Sequence, residues 1–315
     1  MPDMPLRTVT RTQGNNRALK EGTVTAKGFD LAFEEVPVLV DAFRRMVRGL
    51  EFDVCEMAMT TYLCAKAHGK PFTALPIFLV RGFHHGAIVR APDAGIRSPK
   101  DLEGREVGVN RGYTVTTGVW ARGVLQEEYG VDLSKVTWVP SGDEHVAEYR
   151  PPANVVPMRP GGRLPDLVAA GELAAAVGVS PAPPGLPPLI PDATEAGFAA
   201  LRRRGHYPIN HLVVVKDDLL AAHPELATDV FEAFSQAKNL YVDRLRRDAI
   251  EEPAPADLMY RRVLEITGAD PLPYGIEPNR GVIEELIEHA VSQRILDRRP
   301  SVESLFAEST LNLTG

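Results

Sequence analysis

Apolar runs of strand length alternate with amphipathic stretches of helix length along most of this chain, and that alternation confines it to the α/β class. The segments LRTVTRT (6–12) and FDLAFEEV (29–36) read as strands. Val40, Phe43, Val47 and Leu50 then form an apolar stripe at helical spacing, with Arg44, Arg45 and Arg48 largely off it on a solvated face. FDVCEM (52–57) is a short strand, and TTYLCAKAHG (60–69) is a helix with a Thr cap that stops at Gly69. FTALPIFLV (72–80) and HHGAIVR (84–90) supply two more strands.

A second alternating unit starts near Ala91. GIRSPKDLEGREVGVN reads as loop, short helix and strand, and RGYTVTTGVWARGVLQEEYG as a capped helix ending at Gly130. VTWVP (136–140) is a strand, and LPDLVAAGELAAAVGV (164–179) a helix followed by a strand. Proline density in SPAPPGLPPLIP (180–191) forbids a regular ladder, so this is a surface loop. HYPINHLVVVKDDLL (206–220) returns to a strand. Beyond it the pattern is nearly all helical, with Asn279 in cap position before the last helix. Ligands in such folds bind where loops leave the C-terminal ends of strands, which here are CEMAMTTY, NRGYTVTT and GVSPAPP.

At 315 residues the chain has room for two domains, and its formal net charge of −7 argues against general affinity for nucleic acid or an anionic membrane. Cys55 and Cys64 make neither a disulfide framework nor a zinc site. The basic residues of MPDMPLRTVTRTQG precede no apolar stretch of the kind a secretory signal needs, and no run approaches the roughly 20 apolar residues of a membrane span. A cytoplasmic protein without membrane partners is the expectation, with self-association into a homo-oligomer left open. There is no phosphate-binding loop, dinucleotide fingerprint or Gly-x-Ser-x-Gly elbow.

GIRSPKDLEGREVGV followed by a Thr-rich helix start resembles the second domain of the type II periplasmic-binding-protein fold. That resemblance implies two α/β lobes joined by two crossover strands, with a ligand cleft between them and a helical C-terminal tail. Residues 1–90 and 207–315 would form lobe one, and 91–206 lobe two, with crossings near FHHGAIV and INHLVVV. Three further segments, GVWARGVLQEEYGVDLSKVTWVPSG, YPINHLVVVKDDLL and PYGIEPNR, resemble the bacterial family typified by 4,5-dihydroxyphthalate decarboxylase. The resemblance implies a cytoplasmic decarboxylase of aromatic catabolism, acting on a small aromatic carboxylate with no cofactor. The alternative is a non-catalytic solute-binding or sensory protein for a small organic anion. The chain departs from the family at His84, where a second Arg is usual, at Ala174 after the GEL helix end, and in the GNNR turn, which leaves Arg17.

Such chemistry needs cationic anchors for carboxylates and an acid near the ring, and arginine and histidine suit these tasks. In an uninterrupted strand Arg81, Phe83 and His85 share one face, so Arg81 is the candidate anchor and His85 the candidate acid. The alternative is that Arg81 and His85 pair with carboxylates such as Glu56 and fasten the hinge. His211, after Asn210 in the second crossover, is a second candidate acid, and Glu56, ending a strand, a candidate for orienting a histidine or receiving a phenolic proton. Thr60, Thr61, Tyr113, Thr114 and Thr116 gather at two expected helix starts, where unpaired N–H groups favour anions. His84, Asn210, Arg17 and Ser180 complete the expected substrate contacts. No metal is expected, because adjacent His84 and His85 cannot both face one ion from a strand.

Overall fold

The computed structural model describes residues 4–179 and 182–315; Ser180 therefore lies outside the described residues. The chain forms two compact units: Met1–Arg81 with Gly205–Glu284 and Pro300–Gly315, and Gly82–Arg204 with Glu285–Arg299.

The first unit opens with β1 (Met4–Val9), α1 (Arg17–Lys20), β2 (Phe29–Phe33), α2 (Leu39–Gly49), β3 (Val54–Ala58), α3 (Met59–Ala67) and β4 (Phe72–Arg81). The second unit contributes β5 (Ile88–Arg90), β6 (Glu106–Val109), α4 (Thr116–Tyr129), β7 (Thr137–Pro140), α5 (Leu164–Ala169), β8 (Ala175–Val177) and α6 (Ala193–Arg204). The chain then returns as β9 (Ile209–Lys216), α7 (Asp217–Ala222), α8 (Leu226–Arg246) and α9 (Pro255–Thr267), and the unit boundary falls within α10 (Arg280–Ser292).

Among the described residues the first unit's sheet runs β2-β1-β3-β9-β4. Strand β1 is parallel to β2 and β3, whereas β9 inserts antiparallel between β3 and β4. Every residue of β3 is buried, as are Leu212–Val215 of β9, so both central strands are written as continuous apolar runs rather than alternating ones. Helix α8 buries Leu226, Val230, Phe234, Ala237, Tyr241 and Leu245 at three- and four-residue spacing, the stripe that seats it. The C-terminal segment completes this unit. Phe306 bridges to Ala74, the Ala307 N–H donates to the Ala74 carbonyl at 3.0 Å, and the Tyr274 N–H donates to Gly315 at 2.9 Å.

The second unit's sheet has the order β5-β8-β6-β7, with only β5 antiparallel. Val89, Val139, Leu164, Val168, Leu173 and Ala176 form a core on it. Arg122 of α4 is fully buried. Its guanidinium lies 3.9 Å from the Tyr113 ring centroid, while Nη2 donates to the Tyr113 carbonyl at 2.6 Å and Nε to Gln293 at 2.8 Å. His289 is also buried, edge-on to Trp120.

Several expectations are corrected here. The stretch 81–88 is not one strand. Strand β4 leaves the ladder at Arg81, where irregular register with β9 ends the pairing, and His85–Ala87 forms a 3₁₀ turn closed by the Ala87 N–H on the His84 carbonyl. Arg81 and His85 therefore do not share a strand face. Strand β5 pairs with β8, so residues 82–90 belong with the second unit rather than the first, as do 285–299 at the other end. Helix α3 starts at Met59 after extended Ala58, with no side-chain cap, which puts Thr60 and Thr61 inside its first turn. Val115 precedes α4, and it too is no side-chain cap. Asn279 does not cap α10: its side-chain amide donates to the Pro273 and Gly275 carbonyls at 2.9 and 2.7 Å. No helix among the described residues is long and apolar enough to cross a membrane.

Burial, opposed by Glu285 and reinforced by Arg204, pushes the His289 imidazole down to about 4. Because the unfolded chain takes up this proton near pH 6.5 and the folded one near 4, the site stabilises the fold above pH 6.5 and loses that contribution as pH falls through this window. Urea denaturation should show the wild type losing up to about 3 kcal/mol more than His289→Gln between these two values.

Candidate active site

In the first unit, the antiparallel pairing of β3 with β9 sets Ala58 opposite His211 and Glu56 opposite Val213. Residues two apart on a strand share a face, and so do cross-strand partners, which brings Glu56 and His211 onto one face of the sheet. Glu56 is wholly buried. One carboxylate oxygen accepts the Arg11 backbone N–H at 2.9 Å, and the other lies 2.6 Å from His211 Nδ1. With Glu56 as acceptor the pairing selects the tautomer that carries its proton on Nδ1, and the other ring nitrogen, Nε2, is turned away from the carboxylate. Phe43 holds the ring edge-on, with centroids 5.1 Å apart. The histidine side chain keeps 17% exposure, enough for a reactant to reach it. The result is an oriented acid–base pair.

The loop after β1 is fixed by its own polar side chains. Asn16 donates to Thr10 Oγ1 and the Arg11 carbonyl and accepts from the Gln13 N–H, while Lys20 Nζ donates to the Thr10 carbonyl, Thr12 and Glu35. A Cβ on Gly14 would overlap the Tyr241 ring, so only glycine lets this loop approach α8. Loop and helix enclose a cavity of about 1280 Å³, whose lining includes Arg11, Arg17, Val80, Arg81, Tyr241 and Tyr260. The cavity adjoins the pair through two of these residues: Arg11 bonds Glu56, and Val80 is the cross-strand partner of His211. Arg81 is buried with its Nη1 donating to the Tyr207 carbonyl at 3.0 Å and its Nη2 to the Pro273 carbonyl at 3.0 Å and to Asn279. Burial pushes its guanidinium down to about 10. Both terminal nitrogens are thus committed to the protein, which removes the bidentate fork expected to grip a carboxylate. Thr60 and Thr61 are buried. Asn210 Oδ1 is buried without a hydrogen-bond partner among the described residues.

In the second unit, the helix start that gathers Tyr113, Thr114 and Thr116 holds a carboxylate from the chain itself. Glu144 accepts the Tyr113 N–H at 2.5 Å, the Thr114 N–H at 3.1 Å and the Thr114 hydroxyl at 2.6 Å. The N–H groups and hydroxyl there cradle the chain's own Glu144 rather than the ligand that the surplus of polar groups pointed to. His85 Nε2 lies 3.2 Å from both oxygens of Glu128, which also takes Arg204 at 2.5 Å. His84 is buried and stacked parallel to Trp120. Glu127, Glu285 and His289 place one donor atom each within 4.8 Å of one another, a spacing that suits a metal ion, yet Arg204 already bonds both carboxylates at 3.2 and 2.9 Å.

The structure thus brings Glu56 together with His211, and Arg17 with Arg81 around one cavity. Sequence reasoning overlooked Arg11, Gln13, Asn15, Tyr241 and Glu144. The first three and Glu144 lie in loops leaving the C-terminal ends of β1 and β7, the rule that singled out CEMAMTTY, and applying it to every strand would have found them. Tyr241 lies on the buried stripe of α8, and its spacing there does not set it apart from its packing neighbours.

Residues 26–151 match the family described as NMT1/THI5 like. The chain is 30% identical over 318 residues to 4,5-dihydroxyphthalate decarboxylase of Comamonas testosteroni, covering 94% of each protein. It is 34% identical over 175 residues to the Pseudomonas putida enzyme of the same name, covering 51% of this chain and 65% of that one. Among solved structures, the desulfurization enzyme DSZB aligns with TM-score 0.54 at 14% identity over 98% of each chain. The alkanesulfonate-binding protein SsuA from Xanthomonas axonopodis pv. citri aligns with TM-score 0.51 at 14% identity, covering 98% of this chain and 99% of that one. These structural matches establish the two-lobed, periplasmic-binding-protein-like α/β fold.

Removing the internal anion tests the cradle at α4. Glu144→Ala should lower stability by about 1–3 kcal/mol, measured by chemical denaturation, because the buried N–H groups of Tyr113 and Thr114 lose their acceptor.

Proposed function

The chain belongs to the 4,5-dihydroxyphthalate decarboxylase family and is an enzyme of that decarboxylase class, and we propose that it removes a carboxylate from a hydroxylated aromatic acid of the 4,5-dihydroxyphthalate type without a cofactor. The observation that carries this reading is the Glu56–His211 pair, a histidine fixed by a buried carboxylate at 2.6 Å with its second nitrogen available.

A hydroxyl para to the leaving carboxylate pushes electron density to the ring carbon that bears it. Doubly protonated His211 donates its Nε2 proton to that carbon. The C–CO2 bond then breaks, its electron pair returns to the ring, and CO2 leaves with aromaticity restored. Each turnover consumes one proton, which His211 regains from solvent. Glu56 stabilises the imidazolium before transfer and holds the ring in one orientation throughout. Arg11 and Arg17, both exposed on the cavity wall, are the cations for the carboxylates, because Arg81 is spent on backbone carbonyls. His85, tied to Glu128, takes no part in the step.

CO2 release from metal-stripped protein offered 4,5-dihydroxyphthalate is the direct test. His211→Ala should lower kcat by about 10²–10⁴, the usual worth of a placed general acid. Glu56→Gln should lower kcat at least about tenfold with little change in KM, since it alters the proton donor rather than the binding groups. Arg17→Ala should raise KM instead. Full turnover in His211→Ala would overturn the mechanism, and turnover that vanishes on metal removal would overturn cofactor independence.

A further inference from the structure

One side chain of the second unit sits in an unfavourable electrostatic setting. His289 of α10 is only 3% exposed, and its ring lies so close to α4 that a Cβ on Gly123 would overlap it. Among the described residues the ring makes no hydrogen bond. Glu127 stands 3.7 Å from Nδ1 and Glu285 3.9 Å from Nε2, both beyond hydrogen-bond reach. Burial, opposed by Glu285 and helped by Arg204, keeps the imidazole uncharged at pH 7. A neutral imidazole has a proton on one nitrogen and a lone pair on the other, so in either tautomer an unprotonated nitrogen stands next to a carboxylate. Arg204 does not relieve this: it bonds Glu127 at 3.2 Å and Glu285 at 2.9 Å but makes no hydrogen bond to the ring.

A cation that accepts the lone pair as well as both carboxylates would answer all three groups at once. Glu285 and His289 are four residues apart on α10 and share a face, and Glu127 of α4 completes the set. One donor atom from each lies within 4.8 Å of the other two. Zinc ligates imidazole and carboxylate at about 2.0–2.2 Å, so each donor need close in by less than about 1 Å. Glu127 keeps 43% exposure and lines, with Glu128 and Arg204, a cavity of about 490 Å³ through which an ion can arrive.

We infer that Glu127, Glu285 and His289 form a site for a divalent transition metal of the zinc class, with Arg204 as the internal cation that the ion displaces. Two carboxylates and an uncharged imidazole suit Zn²⁺, whereas Mg²⁺ prefers oxygen ligands and keeps its own water. The ion takes the lone pair of one ring nitrogen and leaves the other as N–H. Arg204 retains Glu128, its acceptor at 2.5 Å, so its guanidinium is not left unpaired when it gives up the other two carboxylates. The site belongs to the second unit and the acid–base pair to the first, so it stands or falls independently of the reaction assigned to that pair.

Calorimetric titration of the metal-stripped full chain with Zn²⁺ tests the site without turnover, circular dichroism confirming the fold of each variant. The wild type should take up one equivalent whose affinity falls at least about tenfold in both His289→Gln and Glu285→Gln. Arg204→Gln, which removes the competing cation, should bind that equivalent several-fold more tightly than the wild type. Mg²⁺ at the same concentration should not compete for it. No Zn²⁺ uptake by either the wild type or Arg204→Gln would overturn the site. So would an affinity that His289→Gln leaves unchanged, or one that Arg204→Gln weakens.

Discussion

Arg81 is the interaction on which the first unit turns. A guanidinium taken out of water is tolerated only where oxygens replace its solvent, and here they come from three places in sequence: the chain entering β9, the turn before α10, and Asn279. One side chain at the end of β4 thereby fixes where β9 begins, since the Tyr207 carbonyl it holds lies two residues before Ile209. With the start of β9 fixed, the register against β3 follows, and with it the seat of His211. A residue that looks by type like a ligand anchor works as the peg that sets the histidine in place.

That register matters because Glu56 and His211 come from strands separated by Gly82–Arg204, most of the second unit. Their 2.6 Å contact depends on the antiparallel insertion of β9 between β3 and β4. A one-residue slip would carry His211 to the opposite face of the sheet. The buried apolar stretch Leu212–Val215 makes such a slip costly, so packing of ordinary aliphatic side chains is what keeps the acid–base pair aligned.

The α/β architecture was legible because buried strands must be apolar and helices on a sheet must carry a stripe; β3, β9 and α8 write both signals plainly. The chemistry was legible only in part. Glu56 and His211 stood out as polar residues in apolar runs, though their pairing needs a register no local pattern supplies. The shared face imagined for Arg81 and His85 fails because the chain leaves the ladder between them, and strand alternation means nothing past that point. Thr60 and Thr61 misled for a related reason: extended Ala58 opens the helix earlier, and no side chain is required there. Glu144 was within reach of the strand-end rule as a loop residue after β7, but its seat at α4's start was not, because a loop carboxylate about thirty residues away has no periodicity to betray its destination.

The C-terminal segment clasped against β4 has a consequence for how the molecule is made. On the ribosome, β1, β3 and β4 emerge first, yet β9, which must lie between β3 and β4, appears only after nearly all of the second unit, and the bridge from Phe306 to Ala74 closes last of all. The oldest strands therefore wait with an open apolar gap while β5 to β8 can already assemble among themselves. The sheet that holds the acid–base pair is begun before the sheet of the second unit and completed after it, so Glu56 meets His211 only once β5 to β8 have been made.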